Sequence, residues 1–362
     1  MSDRFVGVLR AAWVLPIAGP PIAGGAVAVD ASGRIAAVGP AEAVGVPAGG
    51  EVVDVGSAAV LPGFVNVHAH PELAALRGAV EDLPFDVWLR ELVRHKYERW
   101  TPDDARRSTV RGVAEALAAG VTTLAAPDDA GFLARVLRDA GARGIVYREV
   151  FGPDPREWRA AFERARARVE EIVAHAGDLV AVGVAPHAPY TVSEPFLRAV
   201  CAWAREEGLP VCVHAAESEA EDRFVREGAG PFAEAHRARG IPVAARGASP
   251  VSWLEACGAL GPRTLLVHCV QVDAEDVARI ARSGAAVAHC PIANARLGHG
   301  VAPLDGFRDA GIRVGLGSDS AAAGNRMDLL EEARVAGLLQ RATRRDPTAW
   351  PARELLRLVT LD

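Results

Sequence analysis

An α/β protein, with a (β/α)8 TIM-like barrel behind a small N-terminal β-domain, is the fold that the sequence predicts. Three observations support this prediction: eight short apolar runs recur after residue 61, arginine-rich helical patterns separate them, and the first sixty residues follow a different pattern. Strands that alternate with helices indicate a parallel sheet, and eight of them can close a barrel. The 362 residues are enough for one such barrel with a small appendage.

The first sixty residues carry short β-branched runs between glycine and proline clusters, at 26–29, 35–38 and 52–55. Such runs are typical of strands in a small β-structure. We therefore predict three segments, which are strands of a small β-sandwich-like domain over 1–60, the barrel over 61–345, and a C-terminal helix beginning a return to the small domain over 346–362. Because the chain stops there, we expect the C-terminal half of the small domain to be truncated.

The predicted barrel strands are the eight apolar runs, at 64–67, 121–125, 145–150, 179–185, 210–213, 264–267, 285–288 and 313–316. The helical patterns between them include 101–119, 157–176, 194–207 and 274–283. Neither an internal repeat nor a low-complexity segment interrupts this alternation, so a single barrel explains it best.

The charge and the apolar content of the sequence exclude several classes of partner. A formal net charge of -6 gives no reason to expect nucleic acid or a membrane surface. No apolar run is long enough to span a bilayer, and the first residues lack the layout of a signal peptide. We therefore expect a cytoplasmic protein that acts on a small molecule, with a homo-oligomer left open.

Five cysteines and a single lysine limit the covalent chemistry of the chain. The cysteines form no C-x-x-C pair and their number is odd, which favours reduced, buried thiols in a reducing compartment. The one lysine, Lys96, lies in a charged run. A mechanism that needs a Schiff-base, phosphate-binding or carboxylated lysine would therefore have to use Lys96.

Histidines and acidic residues recur where the predicted barrel strands end. In chain order they are His68 and His70 after the first run, His187 after the fourth, His214 and Glu217 after the fifth, His268 after the sixth, His289 after the seventh and Asp319 after the eighth. The carboxyl ends of all strands open onto one face of a barrel, where catalytic groups converge. Several imidazoles with two carboxylates at one barrel mouth predict a metal site.

The spacing of His68 and His70 also fits a metal site. Residues i and i+2 of a strand point to the same side, so both imidazoles can face the barrel axis. Taken alone, each signal has an ordinary explanation, since Asp319 suits a turn or helix cap and Glu217 suits the first turn of a helix. Their joint placement favours the metal site, and imidazole nitrogen suits Zn²⁺ and Fe²⁺ alike.

Four segments resemble motifs of the amidohydrolase superfamily, in its order and spacing. They are 61–70 (Leu-Pro-Gly-Phe-Val-Asn-Val-His-Ala-His), 214–217 (His-Ala-Ala-Glu), 264–269 (Thr-Leu-Leu-Val-His-Cys) and 315–319 (Gly-Leu-Gly-Ser-Asp). The pattern resembles the mononuclear aminohydrolase, or deaminase, branch. Binuclear branches need a carboxylated lysine or a bridging acid on strand four, and the run 179–185 contains neither.

The resemblance implies a role for each of these motif residues. One divalent metal ion, Zn²⁺ with Fe²⁺ as the alternative, would have four ligands, namely His68, His70, His214 and Asp319. Glu217 would shuttle protons, His268 would orient the attacking hydroxide, and Asp319 could accept a proton. The implied reaction is hydrolysis at an amidine-like ring carbon, with release of ammonia.

Further segments resemble deaminases of adenosine-type substrates. The segment 186–193 is similar to deaminases of S-adenosylhomocysteine and methylthioadenosine, whereas 70–73 and 85–89 are similar to aminodeoxyfutalosine deaminases. The segments 289–294 and 297–300 share the second similarity. An adenine-type nucleoside derivative is therefore the substrate class that the resemblance implies.

Four residues are candidates for substrate binding. By the resemblance, Glu72, Trp88 and His187 would contact the ribose or the base. Arg148, on the third strand, could meet a substrate carboxylate or pair with a neighbouring acid. The sequence departs from the related deaminases at Ala293, where they usually carry serine, and at 323–325, where they carry Ser-Asn after the aspartate.

Two other functions stay open at this point. The same site could serve a guanine deaminase or a chlorohydrolase of the superfamily, which act on a different substrate or leaving group. A non-catalytic barrel scaffold is the third possibility. Such a scaffold would be expected to lose metal ligands, and all of the expected ligands are present in this sequence.

Overall fold

The fold is described by a computed structural model, which covers residues 6–362. The chain divides into two compact units. One comprises the residues up to Gly63 together with Leu361, and the other comprises Phe64–Thr360 together with Asp362.

The first unit is a five-stranded sheet built around its first strand. Its strands are β1 (Gly7–Val14), β2 (Ile22–Val29), β3 (Ile35–Pro40), β4 (Glu51–Asp54) and β5 (Ala59–Val60). β1 pairs antiparallel with β2 and parallel with both β4 and β5, while β3 lies beyond β2. Small apolar side chains fill its core, namely Val8, Ala26, Ala28 and Val44. The predicted N-terminal β-domain is thus confirmed.

The second unit contains eight parallel strands. They are β6 (Phe64–Asn66), β7 (Val121–Asp128), β8 (Arg143–Val150), β9 (Val180–Pro186), β10 (Val211–Ala215), β11 (Thr264–His268), β12 (Ala286–His289) and β13 (Val314–Leu316). Each strand lies beside the next one in sequence, from β6 to β13. The predicted (β/α)8 barrel is confirmed, and each of the eight predicted runs overlaps one of its strands.

Helices surround the barrel strands. They are α1 (Phe85–Arg94), α2 (Pro102–Ala118), α3 (Leu133–Asp139), α4 (Trp158–Ala176), α5 (Glu194–Glu206), α6 (Glu219–Glu227), α7 (Pro231–Ala238), α8 (Pro250–Ala256), α9 (Ala274–Ser283), α10 (Pro291–Arg296), α11 (Leu304–Asp309), α12 (Ala321–Gly324), α13 (Leu329–Arg344) and α14 (Ala352–Arg357). A 3₁₀ helix (Pro71–Leu76) follows β6, and a π-helical turn (His95–Arg99) extends α1. Within residues 6–362, every helix is too short or too polar to cross a membrane.

Local sequence signals explain where several of these helices begin. Thr101 caps α2 through a capping box with Asp104, in which each side chain bonds the other's backbone amide. Asp328 caps α13 by accepting from two backbone amides. Glycines in left-handed conformation end α6 and α9, where an L-residue would be strained.

The barrel closes where its first and last strands meet. Asn66 donates from Nδ2 to Ser318 Oγ over 2.8 Å, and the backbone amide of Ser318 donates back to Asn66 Oδ1 over 3.1 Å. Beyond the strands, the amide of Asp319 donates to the carbonyl of His68 over 3.0 Å. Both Asn66 and Ser318 are fully buried. This closure brings the ends of the first and last strands together.

We expect Asn66→Ala to destabilise the barrel by about 1–3 kcal/mol, because it leaves the buried Ser318 amide without a partner and leaves the Ser318 hydroxyl only its 3.4 Å bond to the carbonyl of Asp319. Urea denaturation measures this loss. Ser318→Ala breaks the same contact as Asn66→Ala. The double variant should therefore lose less free energy of unfolding than the sum of the losses in the two single variants. Thr343→Ala, at an exposed position of α13, is the control and should stay within about 0.5 kcal/mol. An Asn66→Ala loss as small as that of Thr343→Ala would contradict this account of the closure.

Candidate metal centre and active site

Three imidazoles meet at the carboxyl end of the barrel. Nε2 of His70 lies 3.4 Å from Nε2 of His214, and the ring of His68 stands edge-on to both. One ring nitrogen from each of the three lies within 4.8 Å of the others. Two ligands placed about 2.0–2.1 Å from a tetrahedral ion are about 3.4 Å apart. The spacing of His70 and His214 therefore fits one ion held between them.

Asp319 approaches the same point from the last strand. Its Oδ1 lies 3.9 Å from Nε2 of both His68 and His70. The backbone of Asp319 is in the left-handed region, with φ of 53°, a conformation that costs a residue other than glycine about 1–3 kcal/mol. The amide of Ser320 donates to Oδ1 over 2.7 Å and helps to hold the carboxylate in place.

The chemistry of these donors fits a divalent cation. Burial, reinforced by the neighbouring histidines, holds the pKa of His68 and of His214 well below the usual range, so both rings are neutral. Nδ1 of His214 lies 2.9 Å from the carbonyl oxygen of His187, which accepts its hydrogen and leaves Nε2 with a lone pair. Both ring nitrogens of His68 are buried without a hydrogen-bond partner, and a bound cation would satisfy one of them.

Behind His70 lies a buried chain of charges. Glu72 Oε1 is 3.5 Å from His70 Nδ1 and 3.2 Å from the ammonium of Lys96, which in turn lies 2.7 Å from Asp129. The hydroxyl of Tyr97 also donates to Asp129. Burial alone would lower the pKa of His70, but the contact with Glu72 raises it to about 9. Glu72 therefore fixes the orientation of His70, and Lys96 compensates the charge of Glu72.

Glu217 lies beside two histidines at the edge of the same site. Its Oε1 is 3.5 Å from His268 Nε2 and 3.2 Å from His299 Nε2. Burial would raise the pKa of Glu217, but the two imidazoles hold it below the usual range of a carboxyl group. Glu217 is therefore ionised at neutral pH. His268 is turned towards Glu217, and its Nδ1 lies 2.9 Å from Asn294 Oδ1.

The loop that carries Glu217 is held by a second glutamate. Glu221 accepts hydrogen bonds from the amides of Ala216 and Glu217 over 2.8 and 2.9 Å, and Ala216 is left-handed with φ of 50°. Burial raises the pKa of Glu221 to about 8. The sequence signal for this residue is the Ser218-x-x-Glu221 pattern, which is typical of a helix start. Ser218 caps α6 by accepting from the amide of Glu221, while the Glu221 carboxylate bonds the two amides before Ser218 and not the amide of Ser218 itself.

A cavity of about 440 Å³ opens above these residues. Two of the four predicted substrate contacts, Trp88 and His187, line it. The structure does not bring the other two to its wall. Glu72 lies behind His70, and Arg148 donates over 3.0 Å to the backbone carbonyl of Asp128.

Glu149, next to Arg148, lines the cavity instead. Successive residues of β8 point to opposite faces, so a strand that turns Arg148 away turns Glu149 inwards. Burial raises the pKa of Glu149 to about 7, and its Oε1 is buried without a hydrogen-bond partner among the described residues. The nearest base is Nε2 of His187, at 3.9 Å, whose pKa burial lowers to about 3. Sequence reasoning missed Glu149, although the alternation of the strand was a usable signal.

We expect Lys96→Met to weaken metal binding by about 10–100-fold, because Glu72 then lacks its cation and holds His70 less firmly. Competition with a chelating dye measures the dissociation constant for Zn²⁺. The matched control is Arg94→Met, which removes a cation from the same helix at a side chain that is 53% exposed. Equal Zn²⁺ affinity in Lys96→Met and Arg94→Met would show that the charge chain does not support the site.

Comparison with known proteins agrees with this geometry. A 5-methylthioadenosine/S-adenosylhomocysteine deaminase of Pelotomaculum thermopropionicum is 32% identical over 98% of this chain and 78% of its own. A 5'-deoxyadenosine deaminase of Methanothermobacter thermautotrophicus is 31% identical over 86% of this chain and 69% of its own. The crystal structure of an adenosine deaminase from Xanthomonas campestris with bound zinc superposes with a TM-score of 0.82, at 28% identity, over 98% of this chain and 78% of that one.

The family model for the amidohydrolase family matches residues 59–362, which include the whole barrel and every residue of the candidate site. The convergence of three histidines and an aspartate at the barrel mouth is thus found in a chain that matches the family along most of its length. The chain belongs to the amidohydrolase family.

Proposed function

We propose that the protein is a metal-dependent aminohydrolase that hydrolytically deaminates an adenine-type nucleoside derivative and releases ammonia. The observation that carries this proposal is the position of the ionised Glu217, at the cavity wall and next to the His68, His70, His214 and Asp319 cluster. A proton-transfer group beside a cation site is what hydrolysis of an amidine-like carbon requires.

The relatives narrow the substrate class. Methylthioadenosine, S-adenosylhomocysteine, 5'-deoxyadenosine and adenosine, which appear in the names of the relatives, share the adenine nucleoside and differ elsewhere. The cavity is consistent with a purine, since the aromatic rings of Phe85, Trp88 and Phe151 line it together with leucines. The resemblance to aminodeoxyfutalosine deaminases keeps that nucleoside among the candidates.

Zinc is the ion that we propose for the site. The adenosine deaminase from Xanthomonas campestris contains bound zinc, and a set of three histidines with one aspartate suits it.

Five cysteines, all buried and free, are consistent with a reducing compartment, and we place the protein in the cytoplasm.

Glu217 and Asp319 each carry out part of the proton transfer that the reaction requires. When bound, the ion supplies a water that is acidic enough to act as a nucleophile near pH 7. Glu217, ionised at the start, would take one proton from the attacking water and deliver it to the ring nitrogen beside the amino-bearing carbon, and Asp319 would accept the second proton of that oxygen. His268 orients that water through Nε2. The proton held by Asp319 then passes to the amino nitrogen with the help of Glu217, the carbon–nitrogen bond breaks, and ammonia leaves with the oxygen of water in its place.

A deamination screen tests the proposed function. With one Zn²⁺ per chain, the protein should release ammonia from at least one of adenosine, 5'-deoxyadenosine, methylthioadenosine, S-adenosylhomocysteine and aminodeoxyfutalosine. Glu217→Gln should lower kcat/KM by about 10²–10⁴-fold while retaining its metal, because it removes the proton shuttle. Glu206→Gln, at an exposed position of α5, is the control. Ammonia release from guanine alone would instead favour a guanine deaminase, and no release from any compound would favour a chlorohydrolase or a scaffold.

Glu149 and His187 are the groups that we expect to recognise the sugar. A buried carboxylate that faces the cavity without a partner gains most from hydroxyl donors, and hydrogen bonds to charged groups are worth about 1.5–3 kcal/mol. Glu149→Gln should therefore lower kcat/KM for adenosine by about 10–100-fold and leave 2',3'-dideoxyadenosine nearly unchanged. Steady-state kinetics with both nucleosides measures the difference. An unchanged ratio between the two nucleosides would contradict a sugar-binding role.

A further inference from the structure

His299 is a buried histidine to which the proposed reaction assigns no role so far. It follows α10, is 6% exposed, and lies between Gly298 and Gly300, whose φ values are 74° and 109°. These left-handed glycines allow the chain to turn so that the imidazole faces Glu217. The backbone of His299 is fixed on both sides, because its amide donates to Asn294 over 2.8 Å and its carbonyl accepts from Gln271 over 2.7 Å.

The hydrogen-bond pattern around His268 shows why His299 matters to Glu217. Asn294 Oδ1 accepts from Nδ1 of His268, and Asn294 Nδ2 is 3.4 Å from Nδ1 of His289, which sets the orientation of the amide. In a neutral His268, the hydrogen is then on Nδ1 and Nε2 carries only a lone pair. That nitrogen cannot donate to Glu217 Oε1. Of the two imidazoles beside Oε1, His299 is therefore the one that can donate.

We propose that His299 is a positioning residue for the proton shuttle: its Nε2–H donates to Oε1 of Glu217 and holds the carboxylate at the cavity wall. The 3.2 Å separation of the two atoms is shorter than the 3.5 Å to His268, and Nε2 of His299 is buried with no hydrogen bond to any other described group. Phe85 packs edge-on against the imidazole with ring centres 4.6 Å apart, which limits its rotation. This inference rests on the proposed function for the role of Glu217, but the contact itself can be tested without activity.

Three substitutions separate a positioning role from a merely structural one. His299→Leu fills the space without a donor, and His299→Asn is polar but too short to reach Oε1. His299→Gln places an amide N–H where Nε2 lies. We expect kcat to fall about 10–100-fold in the Leu and Asn variants with KM within about threefold, and to return to within about threefold of the wild type in the Gln variant.

The pH profile gives a second readout. A donor to the charged form lowers the pKa of a carboxyl group, so loss of the donor should raise the pKa of Glu217. The acid limb of kcat/KM should therefore move to higher pH in the Leu and Asn variants and return in the Gln variant. The control is His175→Leu, because His175 lies on α4 and is away from the site. Unchanged kcat and acid limb in the Leu and Asn variants, or equal losses in all three variants, would overturn the proposal.

Imidazole ¹⁵N NMR of the Zn²⁺-loaded protein tests the contact without substrate. The His299 resonances, identified by their loss in His299→Gln, should show a hydrogen on Nε2 and should shift in Glu217→Gln. A bare Nε2, protonated only at Nδ1, would overturn the proposal even if the wild type deaminates adenosine. Conversely, Nε2–H in a protein that releases no ammonia would support the contact and reject only the proposed function.

Discussion

The rest of the site depends on the closure of the barrel between its first and last strands. His68 and His70 follow β6, whereas Asp319 follows β13, some 250 positions later in the sequence. The mutual hydrogen bonds of the buried residues Asn66 and Ser318 hold the carboxyl ends of these two strands together. Without that closure, the carboxylate would not reach the two histidines, and the ligand set would be incomplete.

Around this closure, residues at the barrel mouth adopt strained backbone conformations, and charged side chains are buried behind the candidate metal site. Ala216, His268 and Asp319 all have positive φ values at the mouth of the barrel. Strain of this kind persists only where surrounding bonds fix it, and here Glu221 and Ser320 provide such bonds. The same logic applies to charge, since Lys96 allows Glu72 to stay ionised beside His70 although the side chains of all three are at most 10% exposed.

The sequence predicted the barrel from the alternation of strands and helices. It also predicted that the ligand residues meet, because the carboxyl ends of all barrel strands converge whatever their separation in the sequence. It could not place side chains that act through contacts distant in sequence. Lys96 lies in a charged run that is typical of a surface, yet its side chain points inwards and forms an ion pair with Glu72. Arg148 and Glu149 are adjacent, and only the phase of the strand decides which one faces the cavity. The contact of His299 with Glu217 depends on how a loop folds back, which no short motif specifies.

The most direct test of a single-metal site is a crystal structure of the Zn²⁺-loaded protein with anomalous scattering at the zinc edge. A second cluster, Glu149, His187 and His214, also has ligand atoms within 4.8 Å of one another, so the experiment has two distinct outcomes. We expect one peak, about 2.0–2.2 Å from ring nitrogens of His68, His70 and His214 and from a carboxylate oxygen of Asp319. A peak between Glu149 and His187, alone or in addition, would contradict the account.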